Sequence, residues 1–139
     1  MTLATTRGGA AWAAPVYYAY SRSVFYFFSD PASRHIQESL ESGQASSAIH
    51  AFASTWQGIR GIQMSGIIRA VSSTGESLKA IMVYLKKFPF TKGFFSPGQK
   101  MDLDGFSKRF KVRLYSFRPD LVYYLDNSIR FGFRENVIL

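Results

Sequence analysis

The stretch FYFFSDPASRH, residues 25–35, places Ser29, Ser33, Arg34 and His35 where an apolar strand gives way to a helix start. The first turn of a helix carries unsatisfied backbone N–H groups at the positive end of the helix dipole, so it is a ready seat for an anion. Ser29 and Ser33 can add hydroxyl donors, Arg34 offers a planar fork for two phosphate oxygens, and His35 contributes most when protonated. The chemistry this combination predicts is phosphate binding. A plainer assignment fits the same residues: Ser29 and Asp30 as caps, Ser33 on the helix surface, Arg34 and His35 solvated.

A second cue lies in IRGIQMSGII, residues 59–68. Strand alternation groups Arg60 with Ile62, Met64 and Ile68 on one face and Gln63 with Ser65 on the other. A guanidinium among apolar neighbours needs an anionic partner or a route to water, and a bulge at Gly61 would give it the route. In KRFKVRLYSF, residues 108–117, alternation aligns Arg109, Lys111 and Arg113 opposite Phe110, Val112 and Leu114. That stripe reads either as an anion-binding face or, the preferred assignment, as a solvated face that discourages edge pairing. His35 and His50 form no H-x-x-x-H pair and cysteine is absent, which argues against a zinc hydrolase and excludes disulfides and thiolate metal sites. A G-x-S-x-G elbow and a Gly-rich phosphate loop are also absent.

The elements that must position these groups are mostly strands. Turn and alternation signals predict strands over 2–6, 11–20 and 24–28, with a hairpin at Arg7-Gly8-Gly9 and a joint near Ser21-Arg22. The large apolar residues of VFYFF face both ways, so that strand should be covered on both sides. Asp30-Pro31 predicts a helix over 31–42 that stops at Gly43. Strands follow over 45–52 and 59–71, the latter interrupted by Gly61 and Gly66 as marks of bulges or close backbone approach. Ser73-Thr74-Gly75-Glu76 has the form of a capping box and opens a helix over 74–87, with Leu78, Ile81, Met82 and Leu85 at helical spacing. Residues 90–104 read as a loop, and strands over 106–117, 121–125 and 129–133 complete the chain. The class is α+β with β dominant, an antiparallel small barrel or open sheet with two helical covers.

With 139 residues the chain forms one domain, and 47% hydrophobic residues argue against disorder. No apolar run is long enough for a membrane span, and the N-terminus lacks a basic segment followed by an apolar block, so a cytoplasmic protein is expected. A net charge of +8 favours an anionic partner: nucleic acid, a membrane surface or a phosphate-bearing small molecule. The 17% aromatic content fits a Phe-rich core, a dimer interface or a flat-ligand pocket.

APVYYAY, VFYFFSDPASRH and WQGIRGIQMSGIIRAVS together resemble the FMN-binding split-barrel family related to pyridoxamine 5'-phosphate oxidase, and in particular its small bacterial branch. The likeness covers about residues 2–90, with a similar LDNSIRFGF near the end. In the oxidase, a strand end Tyr-Thr-Asn followed by Ser-Arg-Lys binds the FMN phosphate. The resemblance therefore assigns phosphate contacts to Ser29, Ser33, Arg34 and His35, with His35 standing where the oxidase has Lys. Arg60 matches the first residue of an Arg-Gln pair, but Gly61 replaces the flavin-contacting Gln, which argues against the same oxidase activity. Phe28 stands for Tyr, and the Arg and His that hold the substrate phosphate have no match, so pyridoxamine phosphate is not the expected substrate.

The resemblance implies a homodimeric antiparallel split barrel with two helices and FMN at the subunit interface. Arg60 joins the phosphate anchors, and Gln63, Tyr17 and Trp56 join the candidate cofactor residues; Tyr17, Tyr18 and Trp56 are candidate walls for the ring, with core or interface the preferred assignment. The expected function is flavin-dependent oxidoreduction of a small redox substrate. Haem or a deazaflavin on the same fold is the alternative ligand, and an RNA- or anion-binding module using the basic stripe is the alternative class.

Overall fold

A computed structural model gives the fold and describes residues 1–90, 107–108 and 110–139. Gly8 and Gly9, both at positive φ, form the two-residue turn between β1 (Thr2–Arg7) and β2 (Ala10–Pro15), the hairpin expected at Arg7-Gly8-Gly9. A second two-residue turn through Arg22 and Ser23, also at positive φ, joins β3 (Tyr18–Ser21) to β4 (Val24–Ser29). The strand expected over 11–20 is thus two strands. Pro15 ends β2, and the next N–H, from Val16, turns to the Met1 carbonyl at 2.9 Å.

α1 (Arg34–Ser42) stops at Gly43, which takes the left-handed conformation. β5 (Ala45–His50) and β6 (Arg60–Ala70) flank a short 3-10 turn at Trp56–Gly58, and α2 (Thr74–Lys87) has the expected bounds. β7 (Arg113–Asp126) and β8 (Arg134–Asn136) follow. Beyond Phe90 the loop expected over 90–104 lies outside the described residues, as do Phe106 and Arg109.

Every pairing is antiparallel, in the order β2-β1-β5-β6-β7-β4-β3, with β8 added to β7. β7 carries β6 along one edge. Its other edge is divided between β4 near the start and β8 near the end. Pro119 does not split β7 as expected, because its missing N–H falls at a register shift between Ser65 and Gly66 of β6. A Cβ at Gly66 would collide with the Arg118 carbonyl, so the close approach expected there is real. The last strand sits later than 129–133, because Asn127 Oδ1 accepts from Gly132 N at 3.0 Å and holds the intervening residues in a turn.

β4 is covered on both sides, as VFYFF predicts. Phe25 and Phe27 join Leu3, Ile36, Met64, Ile68, Tyr115 and Phe117 inside the curled sheet, whereas Val24 and Tyr26 pack with Leu114 beneath Ala80 of α2. The face of α2 differs from expectation. Ala80, Ile81 and Tyr84 are buried while Leu78 and Met82 stay exposed, and Glu76 accepts from Arg118 and the Tyr26 hydroxyl rather than closing a capping box.

Candidate cofactor site

The strand-to-helix joint forms in an unexpected way. Asp30 does not cap a helix beginning at Pro31; its Oδ1 accepts from Ala32 N at 2.8 Å, and its carbonyl accepts from both the amide and the hydroxyl of Ser33. Residues 31 and 32 are therefore held in a turn, and Ser33 is the N-cap of a helix that starts at Arg34. The Ser33 hydroxyl, spent on Asp30, does not cap α1, so the first N–H groups have no side-chain acceptor.

Three of the expected residues meet here. Ser29 Oγ lies 2.8 Å from His35 Nε2 and 3.2 Å from Ser33 Oγ, and Ser33 Oγ lies 3.4 Å from the same ring nitrogen. Ser29 and His35 are buried, and burial lowers the imidazole below its ordinary value, so His35 is neutral at neutral pH. It acts as a hydrogen-bonding partner of Ser29 and supplies no charge.

Arg34 is held from behind. Its Nε donates to Glu38 Oε1 at 2.6 Å, one helical turn on, and its guanidinium lies 4.8 Å from the Trp12 ring centroid. Glu38 is only 2% exposed and also accepts from Thr5 Oγ1 at 2.6 Å. The Thr5 and Arg34 hydrogen bonds hold its carboxyl below the usual carboxylate range. Among the described residues, both terminal nitrogens of Arg34 lack a hydrogen-bond acceptor.

Arg60 stands elsewhere. Its register partner is Asp126, at the opposite end of the β6–β7 ladder from Ala70 and Tyr115, the pair nearest the Ser29–Arg113 level. The anionic partner that an arginine among Ile62 and Met64 needs is Asp126: Nε reaches Oδ1 at 3.2 Å and Nη2 reaches Ser128 Oγ at 3.1 Å. Asp126 also accepts from the Ser128 hydroxyl, the Tyr124 hydroxyl and the Ser128 amide, and these bonds drive its carboxyl far below the usual range. Trp56 packs edge-on against Phe131 beside this cluster. Within one chain neither Arg60 nor Trp56 belongs to the joint.

Tyr17 and Gln63 fall together at a third place. A cleft of about 520 Å³ is lined by Thr2, Val16, Tyr17, Tyr18, Ala48 and His50, among others. Ala48 pairs with Gln63 on one side and Thr2 on the other, so exposed Gln63 shares a cross-strand row with the cleft wall. Tyr18 pairs with Phe27, two residues from Ser29, which puts the cleft wall and the joint at the same end of the β3–β4 hairpin. The Lys87 ammonium sits 3.4 Å from the Tyr18 ring centroid, and burial lowers its pKa.

Arg113, which its local pattern assigns to a solvated face, reaches the joint across the sheet. The expected stripe is not one strand face, because β7 begins only at Arg113, Lys111 has positive φ, and Val112 N–H turns back to the Ser107 carbonyl. Arg113 is instead the register partner of Ser29, on the same sheet face, and among the described residues it has no carboxylate partner. The only signal for this was the strand order, which no local pattern encodes. No group of three or more His, Cys, Asp or Glu among the described residues could hold a metal ion.

No protein-family model matches the chain. In sequence it is similar to a UPF0306 protein of Klebsiella pneumoniae (strain 342), 27% identical over 134 residues that cover 95% of this chain and 80% of that one. In structure it is similar to a haem-binding protein from Mycobacterium smegmatis, with TM-score 0.72, 17% identity, and coverage of 98% of this chain and 51% of the other. The chain thus spans about half the length of that protein. An FAD-binding protein from Mesorhizobium loti gives TM-score 0.63 at 19% identity over 87% of this chain and 80% of its own. A candidate pyridoxamine 5'-phosphate oxidase from Listeria innocua gives 0.61 at 10% identity, over 89% and 86%.

The fold is a split barrel. In this split barrel the joint at Ser29–His35 collects hydroxyl, amide and guanidinium donors, and the Arg60–Asp126 cluster satisfies itself. Among the described residues no helix is long and apolar enough to cross a membrane.

Proposed function

We propose that the protein binds a flavin, FMN in its simplest form, through the 5'-phosphate, and serves as a flavin-dependent oxidoreductase for a small redox substrate. The observation that carries this reading is the donor surplus at the joint: uncapped α1 N–H groups, the Ser29 hydroxyl, and an arginine that is fixed by a buried carboxylate and whose terminal nitrogens meet no acceptor among the described residues. A dianionic phosphate ester matches that donor set. The 520 Å³ cleft at the same end of the β3–β4 hairpin, walled by Val16, Tyr17 and Tyr18, is the place for a flat ring.

Ser29 and Arg34 would hold the phosphate, joined by Ser33 once its hydroxyl turns from the Asp30 carbonyl, while neutral His35 would orient the Ser29 hydroxyl and Glu38 with Thr5 would position Arg34. A bound flavin supplies the hydride and electron chemistry. The chain's part is to fix the phosphate, present Gln63 and backbone donors toward the ring, and keep the cleft apolar. The open, exposed mouth of that cleft fits closure by a second copy, and a homodimer with the cofactor between subunits is part of the proposal.

Haem is a second reading, favoured by one observation: His50 lines the cleft and could reach a planar ligand there. The visible spectrum of the purified protein, before and after addition of FMN and removal of free ligand, separates the two. Retained flavin bands support the first reading. A Soret band supports the second, and no retained chromophore overturns both.

A further inference from the structure

The Asp30–Ser33 turn has a second side. Against it opens a cleft of about 470 Å³, lined by Asp30, Pro31 and Ala32 on one wall and by Lys108, Lys111 and Arg113 on the other. Arg113 links the two places, since it pairs in register with Ser29 and also lines this cleft. Among the described residues none of the three cations has a carboxylate partner. The one acid in the lining, Asp30, has its Oδ1 engaged by Ala32 N.

Three cations against the single carboxylate of Asp30 leave a net positive charge around a concave site, which favours the entry of an anion. The volume falls within the range of small-molecule sites, about 300–1,000 Å³. Pro31 and Val112 add apolar surface, and Asp30 Oδ2 remains as an acceptor for a hydroxyl or amino group.

We propose that the cofactor's tail continues past its first phosphate into a second anionic group, held in this cleft by Lys108, Lys111 and Arg113. The proposal rests on the flavin reading above and refines it: the preferred ligand carries two anionic groups in series. Such a tail has two chemical sources, the second phosphate of a flavin dinucleotide such as FAD or the carboxylates of a deazaflavin with an acidic tail. The first phosphate occupies the Ser29–Ser33 side of the turn. The second group passes Arg113 to the lysine side.

The test compares FMN, FAD and an acidic-tailed deazaflavin, each titrated into the full-length wild type and into Lys108→Gln/Lys111→Gln, by fluorescence quenching at two salt concentrations. Glutamine keeps much of the side-chain stem and removes the charge. The expected result is that FAD or the deazaflavin binds the wild type about tenfold or more tightly than FMN, with a steeper salt dependence. The double variant should lose that advantage while retaining FMN affinity, which also shows that it has folded. Preference for FAD assigns the second phosphate; preference for the deazaflavin assigns the carboxylates. Wild type that binds FMN as tightly as both longer ligands overturns the inference and leaves the flavin reading standing, as does a preference that persists in the variant. Failure to bind any of the three overturns both.

Discussion

Arg34 and Arg60 begin alike: each donates Nε to a buried carboxylate, Glu38 in one case and Asp126 in the other. What surrounds each pair separates them. Among the described residues Glu38 takes donors from Thr5 and Arg34 only, and the neighbouring hydroxyls and helix amides meet no second carboxylate. Asp126 collects Arg60, Tyr124 and two groups of Ser128, and Ser128 then accepts from Nη2 of Arg60. One end of the molecule has donors to spare; the other turns two of the three arginine nitrogens onto its own acceptors. An arginine beside an acid is thus no evidence for or against anion binding until every donor around it has been assigned.

Substitutions can break this contrast. Arg34→Ala should have the largest effect and weaken FMN binding about thirtyfold, since it removes a fork already held in place. Isothermal titration calorimetry would read it, and an unchanged affinity would return the joint to a structural role. Arg113→Ala should cost about tenfold in the same assay, because its charge lies across from Ser29 but is less constrained than Arg34. Arg60→Ala should leave FMN affinity within about twofold and register only as a small fall in melting temperature, as expected for a half-exposed ion pair. A large loss of affinity in that variant would mean that the Arg60 end reaches the flavin, as it would across a dimer interface.

Acid titration sharpens the same comparison. The lowered pKa of His35 means that the unfolded chain binds its proton first, so stability should start to fall as pH drops below the ordinary imidazole value of 6.5. His35→Gln should remove that early component from urea unfolding curves. Asp126 and Glu38, both held below the carboxylate range, stabilise the fold above their unfolded pKa values, and that contribution is lost as pH falls through the lower folded values. A single acid step, with no component near the imidazole range, would contradict burial of a neutral His35.

The fold class, both helices and the two-sided cover of β4 were legible in the sequence because they depend on local signals: glycine pairs, turn dipeptides and spacing of apolar residues. The errors fall where tertiary context overrides a local rule. Pro119 reads as a break until Gly66 provides a bulge opposite it, and Leu78 and Met82 read as core until α2 packs through Ala80, Ile81 and Tyr84 instead. The same division runs through the site. Ser29, Ser33 and His35 lie close in sequence and were found together, whereas the separation of Arg60 and the approach of Arg113 follow from strand order, which joins residues 84 positions apart at Ser29 and Arg113 and 66 apart at Arg60 and Asp126.

The most direct test of a phosphate seat at this joint is the affinity of the protein for FMN against riboflavin, which lacks only the phosphate. FMN should bind about a hundredfold more tightly, with most of that ratio lost in Arg34→Ala. Equal affinity for the two ligands would contradict it, and would leave Ser29, Ser33 and Arg34 as the framework of a turn.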